Sequence, residues 1–167
     1  TCALPIYWTD VNQEQIMRIN LETSKIDMVV SENVKTPDGL AIDWVHHHLY
    51  WTDTGLNHIE VATLDGDKRK VLIQDDLDEP RAIALDPNNA YIYWTDWGQS
   101  PKIERCGMNG KNRQVLISDD ITWPNGLTID YVGERLYWID AKTHQIGSSK
   151  LDGTERQLIL RGHTYLG

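Results

Sequence analysis

The sequence predicts an all-β fold, a β-propeller of about four four-stranded blades. Three observations predict it. First, an aromatic tetrad recurs as Tyr7-Trp8-Thr9-Asp10, Tyr50-Trp51-Thr52-Asp53, Tyr93-Trp94-Thr95-Asp96 and Tyr137-Trp138-Ile139-Asp140, at spacings of 43, 43 and 44 residues. Second, further segments keep step with it. PDGLAID from Pro37 returns as PRAIALD from Pro80 and PNGLTID from Pro124. The turn Asp65-Gly66 returns as Asn109-Gly110 and Asp152-Gly153, each followed by KVLI, QVLI or QLIL. Third, no stretch sustains a capped helical period. Four strands in a unit of roughly 40–45 residues is the propeller signature, whereas a β-solenoid repeats faster.

Each element has a local reason. The chain opens on IYWTD, an aromatic and β-branched strand of the second type, so the first blade (6–36) lacks its first strand. In the next blade (37–79), Leu40–Asp43 alternates after a proline and forms strand A. Proline suits a strand entry, where its missing N–H matters least. Leu49–Thr52 forms strand B, and His58–Leu64 forms strand C and ends at Asp65-Gly66, a strong hairpin signal. Arg69–Ile73 is strand D. The same order predicts a third blade over 80–123 and a fourth over 124–160, with 161–167 starting the next connection. Propellers close with four to eight blades. The remaining blades are expected from the parent protein or from another chain, and open strand edges would favour association.

Repetition separates scaffold from site. A catalytic constellation would be single, but the tetrad occurs in every blade. Trp8, Asp10, Trp51, Asp53, Trp94, Asp96, Trp138 and Asp140 are therefore expected to be structural. Alternation sends Tyr50 and Thr52 to one sheet face, and Trp51 and Asp53 to the other. The rings can fill the space between blades. The aspartates can accept backbone N–H bonds, as buried carboxylates require. Ile139 replaces threonine in the fourth copy, so that hydroxyl is dispensable once.

Composition narrows the partners. The 167 residues carry 16 basic and 25 acidic side chains, a formal net charge of −9. This argues against a nucleic-acid groove. Phenylalanine is absent, while tryptophan and tyrosine number seven each, aromatics that both pack and hydrogen-bond. No run is long enough to span a membrane, and no secretory leader is visible, so any such signals are expected outside this chain. The two cysteines, Cys2 and Cys106, define no disulfide framework, and Cys106 in strand C is expected to be a reduced, buried thiol.

Connectivity sorts the loops. In an up-and-down blade the B–C and D–A loops share one face of the disc, and the A–B and C–D turns share the other. The first face collects Asp75, Asp76, Asp78, Glu79, Asp119 and Asp120 with Trp97 and Trp123. Aromatics in an acidic rim suit a basic protein partner with an apolar anchor. The other face carries Lys68, Arg69, Lys70, Lys111 and Arg113 and is relatively basic. His46, His47 and His48 align with Asn89–Tyr91 and Gly133–Arg135, in the A–B turn of that face. Three neighbouring imidazoles there are not expected to converge on a metal.

The tetrads, the P-x-G-L-x-x-D strands and WPNG at Trp123–Gly126 resemble the YWTD propellers of the low-density-lipoprotein-receptor family. The resemblance extends to its Wnt co-receptor, agrin-receptor and lipoprotein-receptor branches and, more distantly, to nidogen. It implies a six-bladed extracellular ring between EGF-like modules, in a type I cell-surface receptor that signals or takes up cargo. It implies that Asn125 pairs with an asparagine on an extended ligand loop, beside Trp123 and Arg81. An amide can hold another amide through donor and acceptor together. Cargo release at endosomal pH in such receptors would give the histidines an indirect pH-sensing role. A nidogen-like matrix module is the alternative. A Ca²⁺-dependent propeller hydrolase is a third reading, but the aligned channel-mouth residues Asp38, Arg81 and Asn125 include a cation, and no cofactor, metal or catalytic motif is expected.

Overall fold

The computed structural model describes residues 5–162. Among them there is no helix, and fifteen strands form four antiparallel sheets. The first sheet holds β1 (Ile6–Asp10), β2 (Gln15–Ile19) and β3 (Ile26–Val30). The second holds β4 (Pro37–Asp43), β5 (His48–Asp53), β6 (His58–Thr63) and β7 (Lys70–Ile73). The third holds β8 (Pro80–Asp86), β9 (Tyr91–Asp96), β10 (Lys102–Gly107) and β11 (Gln114–Ile117). The fourth holds β12 (Pro124–Asp130), β13 (Arg135–Asp140), β14 (Gln145–Lys150) and β15 (Gln157–Arg161). Within every sheet neighbours in sequence are neighbours in space, the up-and-down order of propeller blades. The first strands β4, β8 and β12 pack side by side, which makes them the inner strands.

Strand A begins at proline rather than at Leu40, because pairing resumes beyond a register shift between Pro37 and Leu40. The shift takes Gly39 out of the ladder, and the Thr52 hydroxyl accepts its N–H at 2.9 Å. Thr95 does the same for Ala82 at 3.0 Å. The fourth sheet explains why Ile139 is tolerated: there the ladder reaches one residue further and pairs Gly126 with Ile139 directly. The threonine also links blades. Thr9 donates to the Asp38 carbonyl at 3.0 Å and Thr52 to the Arg81 carbonyl at 2.6 Å. A side chain at Gly39 would collide with that same Arg81 carbonyl, so glycine permits the close approach.

The core lies between blades. One cluster joins the first two sheets through Ile16, Val30, Leu49 and Trp51. The next joins the second and third through Tyr50, Ile59, Ile83, Ile92 and Trp94. The last joins the third and fourth through Tyr93, Ile103, Leu136 and Trp138. Strand alternation thus points each buried tyrosine at the following blade and each tryptophan at the preceding one. Two of the tyrosines end on turns: Tyr7 donates to the Leu64 carbonyl at 3.1 Å and Tyr50 to the Met108 carbonyl at 3.4 Å.

One expectation about the basic face is corrected. Arg69 and Arg113 do not present their charge there. Arg69 donates to the carbonyls of Glu32 and Asn33, and Arg113 to those of Asp75 and Asp76. Arg156 does the same to Asp119 and Asp120. Each guanidinium stacks on its blade's tryptophan, 5.4 Å from Trp51 or Trp94 and 5.6 Å from Trp138. Burial opposes their charge, but carbonyl acceptors, and for Arg69 and Arg113 a buried glutamate, hold them inward, and mainly the lysines keep that face basic. The loops they grip turn through left-handed residues at Asn33, Asp76 and Asp120, types that tolerate positive φ.

Candidate functional site

The B–C and D–A loops meet on one face. Their backbones are joined by Thr54 N–H to the Thr36 carbonyl, Trp97 N–H to that of Glu79, and Ala141 N–H to that of Trp123. The tetrad aspartates fasten the junction. Asp53 accepts from the N–H groups of Lys35, Thr36 and Leu56 at 2.8–3.0 Å. Asp96 accepts from Asp78 and Gly98, and Asp140 from Thr122, Trp123, Lys142 and Thr143. Burial opposes ionisation of Asp140, but the N–H groups of Thr122, Thr143 and Trp123 outweigh it and hold the carboxyl below its usual range. Burial dominates at Asp96 and pushes its carboxyl up, since two N–H bonds compensate only in part and Asp78 adds like charge.

On this frame Asp38, Arg81 and Asn125 occupy the second positions of the inner strands β4, β8 and β12. Arg81 Nε lies 2.8 Å from Asp38 Oδ2, and both side chains are about one-third exposed. The Arg81 guanidinium sits 4.4 Å from the Trp97 ring centre. Trp97 meets Trp123 edge-on, with centroids 5.8 Å apart at 74°. Trp123 is 41% exposed. Two polar atoms nearby have no partner among the described residues, Trp97 Nε1 and Asn125 Oδ1. The structure therefore brings five predicted residues to one face: Asp38, Arg81, Trp97 and Trp123 in a connected row, with Asn125 beside them on β12.

The acidic loop residues make other contacts. Asp78 Oδ2 accepts the Gln99 N–H at 2.7 Å. Glu79 adopts φ 73° and donates its N–H to Asn57. Asp119 and Asp120 are exposed, with carbonyls held by Arg156. Sequence reasoning missed Lys142, whose ammonium lies 4.7 Å from the Trp123 ring centre. A signal was available: Lys142 takes the place that Gly55 and Gly98 hold in the other B–C loops.

Other candidates resolve structurally. His46 Nδ1 lies 2.8 Å from Asp43 Oδ2, and Asp43 also accepts the Val45 and His46 N–H groups. His47 takes the left-handed turn position, as Ala90 and Glu134 do in the next blades. Among the described residues no three His, Cys, Asp or Glu side chains converge as a metal group. Cys106 is free and fully buried, and burial pushes its thiol up to about 12. Cys2 lies outside the described residues.

The four sheets and their repeated ties define a propeller of the YWTD type, and the chain belongs to the family of the low-density lipoprotein receptor repeat class B, whose model matches residues 5–44, 47–87, 90–131 and 134–163. Particular relatives can then be set beside it. The chain is 51% identical over 44 residues to low-density lipoprotein receptor-related protein 4 of Homo sapiens, and equally to that of Mus musculus. That match covers 26% of this chain and 2% of each relative. A chain in the crystal structure of the nidogen/laminin complex superposes with a TM-score of 0.91 at 38% identity, over 95% of this chain and 60% of that one. A gluconolactonase from Xanthomonas campestris shares the fold alone, with a TM-score of 0.78 at 17% identity over 92% of this chain and 58% of its own.

Proposed function

We propose that the chain is an extracellular protein-binding module of a cell-surface receptor of this family, in a type I protein whose signal and membrane segments lie outside it. The ligand is a secreted protein carrying a basic or asparagine-containing loop. It docks on the face formed by the B–C and D–A loops, and the module sits among EGF-like modules or the remaining blades. One observation carries this reading: the row Asp38–Arg81–Trp97–Trp123, with Asn125 beside it on β12. A partly exposed tryptophan pair among polar groups is what an interface anchor requires. Asp78, Glu79, Asp119 and Asp120 form the outer rim and favour encounter with a basic partner.

The test is panning of a constrained-peptide display library against the chain. Asparagine-containing or basic sequences are expected to be enriched. Asn125→Ala and Trp123→Ala should weaken them about tenfold or more while the melting temperature holds, the loss typical of a buried interface contact. Peptides that bind both variants as well as the parent would overturn it. The likeness to the nidogen/laminin structure supports a second reading, a matrix adhesion module. Immobilised laminin distinguishes the two, because only the second predicts its capture through this face.

A further inference from the structure

The repeat allows one blade to be compared with the next, and the comparison leaves a gap in the fourth. In the second blade Glu60 stands opposite Trp51, and in the third Glu104 stands opposite Trp94. Both carboxylates are buried and receive the arginine that grips the preceding loop. Arg69 meets Glu60 at 2.8–3.1 Å, and Arg113 meets Glu104 at 2.7 and 2.9 Å. A second nitrogen-bearing side chain lies beside each, with His58 2.8 Å from Glu60 and Lys102 3.6 Å from Glu104. In the fourth blade the residue opposite Trp138 is Gly147. Arg156 keeps its grip on the loop carbonyls and its place on the tryptophan ring, but among the described residues it has no carboxylate partner.

A cavity of about 580 Å³ opens there, lined by Arg156, Arg161, Gln145, Trp138, Thr143 and Gly147 among others. The Trp138 indole leans over Gly147, where a side chain would collide with it. The place of His58 and Lys102 is taken by Gln145, paired with Arg161 across the ladder. With its amide oxygen turned toward Arg161, Gln145 accepts from Nε at 3.3 Å and Nη2 at 3.1 Å. Thr143 lines the same space, its N–H given to Asp140. Asp120 and Asp140 also line the space, so its formal charges balance, but neither carboxylate takes the place of the missing glutamate. Asp140 is committed to four N–H groups, and Asp120 offers Arg156 its carbonyl. Two guanidinium groups thus face this cavity, whereas its counterpart in the third blade, about 490 Å³, has Glu104 in its wall beside Arg113.

We infer that this cavity binds a carboxylate, the Asp or Glu side chain of a partner protein, in the place that Glu60 and Glu104 fill in the other blades. The planar two-oxygen acceptor is favoured over a tetrahedral anion because the arginine fork already receives a carboxylate twice in this molecule. The site is separate from the tryptophan row and is tested without the partner. Side-chain N–H signals of Arg156, Arg161 and Trp138 are followed by NMR as acetate, sulfate or a heparin-derived disaccharide is added at constant ionic strength. Acetate should move these signals saturably and leave those of Arg69 and Arg113 in place. Sulfate and the disaccharide should bind more weakly. Arg161→Gln should weaken acetate about tenfold, roughly one charge-assisted hydrogen bond, with Arg161→Lys in between. Unsaturable shifts, equal movement of Arg69 and Arg113, unchanged affinity in Arg161→Gln, or tighter binding of the sulfated probes would each overturn the inference.

Discussion

Asp53 shows at the scale of one residue why the tetrad repeats. Its carboxylate is buried and holds three N–H groups of two loops. Asp53→Ala leaves those donors unpaired and should cost about 3 kcal/mol or more, with a lower urea midpoint. The aspartates are not equivalent in acid. Asp140 is held below its unfolded value, so it adds stability that is complete above the unfolded pKa and lost as pH falls through the folded one. Asp96 is raised, so the native state holds its proton more tightly, and its contribution declines as pH rises from the unfolded value through the folded one. Urea titrations between pH 2.5 and 7, roughly spanning the carboxylate range, should therefore show Asp140→Asn losing more at neutral pH than in acid. Asp96→Asn should be best tolerated at neutral pH. Parallel profiles for the two variants would contradict the assignment. These roles follow from the repeat as far as residue type goes. The opposed directions do not, because they depend on how many N–H groups reach each carboxylate.

At the scale of the element, each arginine ends a C–D turn yet acts on the loop at the other end of the blade. Arg113→Met strands the buried Glu104 carboxylate, whereas Arg156→Met strands none. The first should destabilise by roughly 3–5 kcal/mol and the second by about 2 kcal/mol less, read from denaturant midpoints. The sequence shows Arg69, Arg113 and Arg156 in register, which was the available sign of a structural role. Their direction was not legible, because a side chain of that length can reach solvent or fold inward, and only the carbonyls of the neighbouring loop decide. Strand starts were missed for a similar reason. Pro37 rejoins the sheet beyond a register shift that a two-residue alternation does not encode.

For the whole molecule, the outer sheets expose Ile6, Ile26 and Met28 at one end and Ile139, Leu158, Ile159 and Leu160 at the other, each about half exposed. Apolar faces of this kind, one with an edge strand, predict concentration-dependent association of the chain by itself. Light scattering coupled to gel filtration should show mass rising with concentration, and Leu160→Lys should reduce it. The sequence by itself determined the blade architecture, the family and the face on which Trp97, Trp123 and the acidic loops lie. A strict repeat carries that information locally, in period, alternation and turn chemistry. Only the tertiary structure decided that Asp38 neutralises Arg81, that Arg81 stacks on Trp97, that Lys142 joins the row, and that the fourth blade lacks the carboxylate its neighbours possess. Those facts belong to contacts between blades, where residues distant in sequence meet and distance and burial set the energy.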